Sequence, residues 1–432
     1  MEADMEQEIK GQELLHTPGG VRDIYGMECA RKLAVEKEVH GVMKSYGFHD
    51  IETPTFEYFD IFSKERGTVQ SKEMFKFFDR GNNTLVLRPD VTPSIARCVA
   101  KYRREEMFPI RLCYTGNTFV NTSPYKGKLQ EVTQVGAELF NDDTSDADAE
   151  MIAIMIESLL KSGLKEFQLE VGHAGFFRGL AEEAGFEDFE TEKLRHLIES
   201  KNFFGVEELL DSLTVAEPLK EIFLKLPDLL GDLKECTIFI QERTKNEQVL
   251  TALERLMKVE SILGLYGFLD YITIDFSMLS QYSYYTGVIF KAYTYGNGEA
   301  LATGGRYDGL VKQFGMNAPA IGLAIVIDQL MLALTRQKLF AEEKLGGTIL
   351  LYPQSLRKEA LAFAEKCRKA GEKIQMLRKS SRKSFEEYKE YAQRAEADVL
   401  IYLETEEKAT LYETASAQIK SGTVEEVCGW KE

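Results

Sequence analysis

The stretch Thr-Gly-Gly-Arg-Tyr-Asp-Gly-Leu at 303–310, followed by Pro-Ala-Ile-Gly-Leu-Ala-Ile-Val-Ile-Asp-Gln at 319–329, decides how the rest of the chain is read. The adjacent Gly304 and Gly305 let a strand backbone pass close to a ligand, because no Cβ stands between them. Arg306, Tyr307 and Asp308 then bring a cation, a phenol and a carboxylate. Gly309 permits a turn that a Cβ would strain. Gly322 opens an apolar run that reads as a buried strand leading into a helix. A plainer reading makes these glycines mere bulge markers. The neighbouring segments decide between the two.

Upstream, residues 1–15 form an acidic, polar stretch expected to be a flexible arm, and 16–24 a turn-rich lead-in. Leu33, Val35, Val39, Val42 and Met43 recur at helical spacing, predicting a helix over 26–46 that Gly47 stops. Phe48 to Thr53 reads as a short strand. The run Leu-Val-Leu-Arg-Pro-Asp-Val-Thr-Pro at 85–93 is a strand ending at Pro89, then a helix start with Thr92 as its cap. On spacing alone, Asp90 and Thr92 are capping residues. Residues 111–140 read as strand, loop around 124–127, strand. On the second strand Gln134, Gly136 and Glu138 share one face by the period of two. An amide and a carboxylate on one face suit an ammonium and an imidazole N–H, or simply solvent.

Further on, 151–160 reads as a helix and 167–172 as a strand. Residues 175–264 are rich in Leu, Glu and Lys at helical spacing, which predicts an inserted helical region with Pro218 and Pro227 between its helices. Strand character returns over 272–290, where Tyr284 and Tyr285 are either a wall for a ring-shaped ligand or ordinary strand tyrosines. From 346, strands at 348–352, 373–377 and 398–402 alternate with helices at 356–370 and 384–395. That alternation predicts a small C-terminal α/β domain over 346–432 with parallel pairing.

The composition narrows the function. With 44% hydrophobic residues among 432, the chain can pack two or three domains. It has no apolar run of about 18 residues, so no spanning helix is expected, and its start lacks a signal-peptide core. Six scattered cysteines without a CxxC pair fit reduced thiols and a cytoplasmic location. Five histidines, none spaced as ligand pairs, give no reason to expect a metal. The formal charge of −17 opposes a large phosphate-gripping surface, so tRNA is not an expected partner. It favours a protein partner or a small ligand.

On the stretches 303–329, 111–140, 85–93 and Tyr284-Tyr285-Thr286-Gly287, the chain resembles histidyl-tRNA synthetases. It resembles equally the synthetase-like regulatory subunits of ATP phosphoribosyltransferases. The resemblance covers most of 16–335. It implies a class II aminoacyl-tRNA synthetase-like α+β core over 16–335, an antiparallel sheet with flanking helices and the insertion at about 175–264. The C-terminal domain would be a shortened anticodon-binding domain. The resemblance also implies a histidine pocket. Asp90 and Thr92 would receive the amino group, Gln134 and Glu138 would meet the ligand's donors, and Tyr284, Tyr285 and Tyr307 would hold the imidazole.

The departures from the synthetase pattern separate the two branches. Val120 stands where that pattern has an arginine, Thr122 where it has an adenine-reading glutamate, and Gln329 where it has the ATP arginine of the third motif. Ser280, with Gln281 beside it, replaces the arginine expected on the amino-acid carboxylate, leaving Arg306 to take that role. Arginine's bidentate fork is preferred for phosphates, and losing one preorganised donor costs about 10²–10³ in rate. Lys126 or Lys128 would bring charge without the fork. The expectation is therefore a non-catalytic regulatory subunit that binds histidine as a regulatory ligand and uses no cofactor. It would activate a short-form catalytic subunit of ATP phosphoribosyltransferase, as a synthetase-like dimer within a hetero-oligomer, a hetero-octamer by resemblance. The alternatives are an active histidyl-tRNA synthetase, or a histidine or tRNA sensor outside that complex.

Overall fold

The structure, a computed structural model, describes residues 15–63, 69–122, 128–213, 215–230, 232–278, 285–340, 346–424 and Glu426. Residues 1–14 of the expected arm, the loop tip with Lys126, and Ser280, Gln281 and Tyr284 lie outside the described residues. The chain divides into two compact units. The larger takes in Lys32–Leu339 and the residues up to Asp23, the smaller Ile24–Arg31 and Phe340–Glu432. The sequence reading placed 24–31 in the core. Within the smaller unit, the Arg31 guanidinium lies 4.9 Å from the centre of the Phe340 ring, a contact without sequence periodicity.

In chain order the larger unit begins with most of α1 (Gly26–Ser45). Val35, Val39, Val42 and Met43 are buried, as their spacing predicts, but Leu33 falls off the stripe and is 58% exposed. Gly47, at φ +81°, ends the segment. There follow β1 (His49–Asp50), β2 (Phe56–Tyr58), β3 (Lys76–Phe78), β4 (Thr84–Leu87) and α2 (Thr92–Tyr102). Next come the long hairpin β5 (Ile110–Phe119) and β6 (Glu131–Phe140), α3 (Ser145–Lys161) and β7 (Gln168–His173).

The helical insertion comprises α4 (Ala174–Glu183), α5 (Asp188–Glu199), α6 (Phe203–Ser212), α7 (Glu217–Lys225), α8 (Leu233–Gln241) and α9 (Glu247–Tyr266). Pro218 lies in the first turn of α7, where its missing N–H costs nothing, rather than between helices. Pro227 sits in a 3₁₀ turn after α7. The unit closes with β8 (Ile272–Ile274), β9 (Val288–Tyr293), β10 (Ala302–Arg306), β11 (Ala320–Val326) and α10 (Ile327–Arg336).

Eight strands form the main sheet in the order β1-β5-β6-β11-β10-β9-β7-β8. Its six central strands are antiparallel, as expected. The edge pairs β1–β5 and β7–β8 are parallel, which corrects the expectation of an all-antiparallel sheet. A parallel neighbour needs a long crossover. Each edge pair has one: α2 lies between β1 and β5 in the chain, and the whole insertion lies between β7 and β8. β2, β4 and β3 form a separate three-stranded sheet.

The smaller unit carries β12 (Thr348–Tyr352), α11 (Arg357–Lys369), β13 (Ile374–Arg378), α12 (Phe385–Arg394) and β14 (Val399–Leu403), each within a residue or two of its sequence-predicted bounds. β12 pairs in parallel with both β13 and β14. Two strands went unread: β15 (Lys408–Glu413) and β16 (Ile419–Thr423), which add antiparallel to the β14 edge. β16 is mostly exposed and has no apolar period, as suits an edge strand that discourages further pairing.

A buried ionic link joins the main sheet to the insertion. Asp148 on α3, with no exposed side-chain surface, accepts from Arg306 Nε of β10 at 2.8 Å and from Arg255 Nε of α9 at 2.6 Å. Removing one member of such a network leaves buried charge uncompensated. Asp148→Ala is expected to lower unfolding free energy by about 3–5 kcal/mol; urea denaturation followed by tryptophan-independent far-UV dichroism measures it.

Candidate functional site

The pocket is built where β6, β11 and β10 lie side by side under the start of α2. Glu138 of β6 sits at its floor, 1% exposed. Thr92 Oγ1 donates to Glu138 Oε1 at 2.5 Å, and the Tyr307 hydroxyl donates to Oε2. Gly322 stands directly opposite Glu138 on β11. A Cβ there would lie 1.7 Å from Glu138 Oε2, so the carboxylate occupies space that only glycine leaves. The same device recurs one pair along. Tyr114 of β5 faces Gly136 of β6, and a Cβ at Gly136 would stand 2.5 Å from the Tyr114 ring and hydroxyl.

Thr92 is not the helix cap that spacing suggested. It is the first residue of α2, and its N–H donates to Asp90 Oδ1 at 3.2 Å. Asp90 thus supports the helix start while the Thr92 hydroxyl turns to Glu138. Asp90, Thr92, Gln134, Glu138, Tyr285 and Tyr307 all line one cavity of about 160 Å³, together with Val120 and Thr303. The Gln134 side-chain oxygen is buried and has no hydrogen-bond partner among the described residues.

Arg306 does not join them. Along β10 successive side chains alternate between faces. A Cβ on Gly305 would meet the Tyr285 ring, whereas one on Gly304 would meet Phe290. Arg306 falls on the Gly304 side and reaches Asp148, the Asp142 carbonyl and Asp308. The expected carboxylate partner is therefore part of the scaffold. No lysine or arginine is among the described residues that line the cavity.

Two of the positions expected to have lost ATP contacts are likewise taken up in local structure. Gln329 donates from Nε2 to Glu299 at 2.9 Å, and the Thr122 carbonyl accepts from Gln130 at 2.7 Å. Lys128, considered as a substitute charge, pairs with Glu299 at 2.5 Å.

Sequence reasoning missed Tyr114, Thr303 and His173. Tyr114 lies directly across from Gly136 in the hairpin, a signal that needed the register of 111–140. His173 caps α4, its Nδ1 accepting from the Gly175 N–H at 3.0 Å. Burial, with Arg255, Arg178 and Arg306 nearby, holds it down at about 4, so it is neutral. Arg178 of the same helix donates to the Tyr285 carbonyl at 3.4 Å, which places the insertion's first helix against the pocket wall.

Burial dominates the electrostatics of the site. Burial raises Glu138 to about 8; the Thr92 and Tyr307 hydrogen bonds pull the other way, and Asp90 pushes it up. Burial also pushes the Tyr114 and Tyr307 phenols up, so both stay neutral donors.

The fold and this site together define a histidyl-tRNA synthetase-like protein. The histidyl-tRNA synthetase family model matches residues 20–330. A histidyl-tRNA synthetase structure from Nostoc shares the fold at a TM-score of 0.78 and 17% identity, covering 96% of this chain and 98% of that one. The comparisons then favour one branch. An ATP phosphoribosyltransferase regulatory subunit from Ruminiclostridium cellulolyticum is 38% identical over 412 residues, 95% of this chain and 96% of that protein. One from Acetivibrio thermocellus is 39% identical over 83% of this chain and 85% of its own length. A Bacillus halodurans structure described as an ATP phosphoribosyltransferase regulatory subunit/histidyl-tRNA synthetase superposes with a TM-score of 0.80 at 31% identity, over 90% of this chain and 97% of that one. The chain belongs to the family of ATP phosphoribosyltransferase regulatory subunits. The regulatory reading is thus supported over that of an active synthetase.

Glu138 sets a pH dependence. Its carboxyl is at about 8 folded against 4.5 unfolded, so the folded chain binds the extra proton between these values. Stability is then full below the unfolded value and falls as pH rises through the folded one. Unfolding free energy of the ligand-free chain is expected to decline across that window, and Glu138→Gln to flatten the decline. Denaturant titrations at a series of pH values measure both.

Proposed function

We propose that this chain is a histidine-sensing regulatory subunit that assembles with a short-form catalytic subunit of ATP phosphoribosyltransferase. It leaves the transfer of the phosphoribosyl group to ATP to that partner. The observation that carries the histidine assignment is the unpartnered, buried Gln134 oxygen in the same small cavity as Glu138, Asp90, Thr92, Tyr285 and Tyr307. A buried polar atom without a partner is costly, so it marks a place where a donor arrives. A cavity of about 150 Å³ holds a benzene-sized ring, which suits an imidazole in the 160 Å³ available.

In this reading Asp90, Thr92 and Glu138 take the ammonium. Gln134 takes an imidazole N–H, and Tyr285 and Tyr307 wall the ring, with Tyr284 assigned there by resemblance. Val120, Thr122, Ser280 and Gln329 mark the abandoned ATP half, which removes the cations that adenylation needs. The same resemblance supports a synthetase-like dimer within a hetero-octamer, a cytoplasmic location and an anticodon-domain origin for 346–432. Among the described residues, no helix is long and apolar enough to cross a membrane.

Control requires that histidine bind one state of the complex better than the other. The Arg306–Asp148–Arg255 link runs from the strand beside Tyr307 to α9 of the insertion, so pocket closure has a rigid path to that region. Phosphoribosyl-ATP formation by the catalytic subunit should rise on adding this chain and fall again on titrating histidine. No activation, together with histidine-dependent pyrophosphate exchange into ATP by this chain alone, would restore the synthetase alternative.

Binding should also move a proton. The arriving ammonium favours the charged carboxylate and draws the Glu138 pKa down from about 8. Calorimetry near neutral pH in buffers of different ionisation heat is expected to show proton release in the wild type and none in Glu138→Gln. Equal release in both would remove Glu138 from the ammonium site.

A further inference from the structure

A second cluster of chemically capable side chains lies on the other face of the main sheet. Cys113 precedes Tyr114 on β5, so it points away from the pocket. Asp50 of β1 is its register partner across the parallel edge pair, and His40 reaches the same point from α1. The atoms converge: His40 Nε2 to Asp50 Oδ1 is 2.6 Å, Cys113 Sγ to Asp50 Oδ1 3.6 Å, and Cys113 Sγ to His40 Nε2 3.7 Å. All three lie within 4.8 Å of one another.

Tetrahedral zinc, with bonds of about 2.0–2.3 Å, holds its ligand atoms roughly 3.3–3.8 Å apart. Two of the three distances already have that value. The third opens by about an ångström or less when the His–Asp hydrogen bond gives way to a shared ion.

We propose that His40 Nε2, Asp50 Oδ1 and Cys113 Sγ form a binding site for a divalent transition metal of the zinc class, with water in the fourth position. The ligand set is the argument. A thiol, an imidazole and a carboxylate together match borderline-soft ions and not magnesium or calcium. Sequence spacing conceals the site, because its residues come from three elements and no two histidines take part.

Two other readings of the cluster are weaker. A Cys-His-Asp nucleophile needs an accessible sulfur, and Cys113 has no exposed surface; burial also holds its thiol up at about 12. A surface ion-pair network explains Lys44, whose Nζ lies 2.7 Å from Asp50 Oδ2. It gives no account of a thiol aimed at both other groups. Lys44 uses the second carboxylate oxygen, leaving Oδ1 to the metal, although its charge opposes the ion. Binding involves no redox step. The thiol proton leaves to solvent, its electron pair goes to the metal, and the imidazole keeps its proton on Nδ1.

The test is a Co²⁺ titration of the chelator-treated full-length chain, followed by Zn²⁺. One equivalent of Co²⁺ per chain is expected to produce a thiolate-to-cobalt charge-transfer band, which Zn²⁺ bleaches. Cys113→Ser should abolish the band. His40→Gln, at a half-exposed position that leaves the core intact, should weaken affinity by at least about tenfold. Lys44→Gln should tighten it, because a competing cation is gone. Absence of the band in the folded wild type would overturn the proposal, as would wild-type cobalt affinity in His40→Gln.

Discussion

The larger unit is organised around a carboxyl group almost wholly withdrawn from the surface, 1% exposed. Glu138 sits at the floor of its pocket, and everything around it answers the cost of putting it there. Thr92 and Tyr307 donate to its two oxygens. Gly322 gives up the volume that the carboxylate fills. The start of α2, with Asp90 beneath Thr92, is fixed so that one hydroxyl points inward. The register of β6 against β11 is equally constrained, since a one-residue slip would bring a bulky side chain against Glu138.

That constraint separates recognition from catalysis. A pocket lined by carboxyl, amide and phenol groups suits ammonium and N–H groups, as the proposed histidine site requires. Among the described residues that line it, no lysine or arginine meets phosphate charge. A synthetase needs both halves, and a sensor needs only the first. Arg306 illustrates the reassignment. Instead of meeting a ligand, it is buried against Asp148, which also holds Arg255 of the insertion. A buried pair of this kind contributes little net stability, but it ties the strand beside Tyr307 to α9.

Much of this was legible in the sequence because it rests on period and on small residues. The period of two put Gln134 and Glu138 on one face, and the helical period found α1 and the insertion. Gly304 and Gly305 announced close approach, although of the Phe290 and Tyr285 side chains of the same chain rather than of ligand; Gly322 read only as the start of an apolar strand, and its closeness to Glu138 needed the register. Other features depended on register or on distant partners. The alternation of β10 turns Arg306 away from the pocket, but only the position of Tyr285 says which face is which. The Tyr114–Gly136 pair needed the hairpin register. Thr92 looked like a cap because a hydroxyl at a helix start usually is one, and its actual partner is 46 residues away. β16 had no apolar pattern to read.

The proposed histidine pocket is one that recognises donors, and no lysine or arginine is among its described lining residues to meet the ligand's carboxylate. The most direct test is calorimetric comparison of L-histidine with L-histidinol, which keeps the ammonium and the imidazole and replaces the carboxylate with an alcohol. The account predicts that the two bind with closely similar affinity and compete for one site. Binding of histidine with no measurable binding of histidinol would contradict it, because a cation reading the carboxylate would then have to lie within the site.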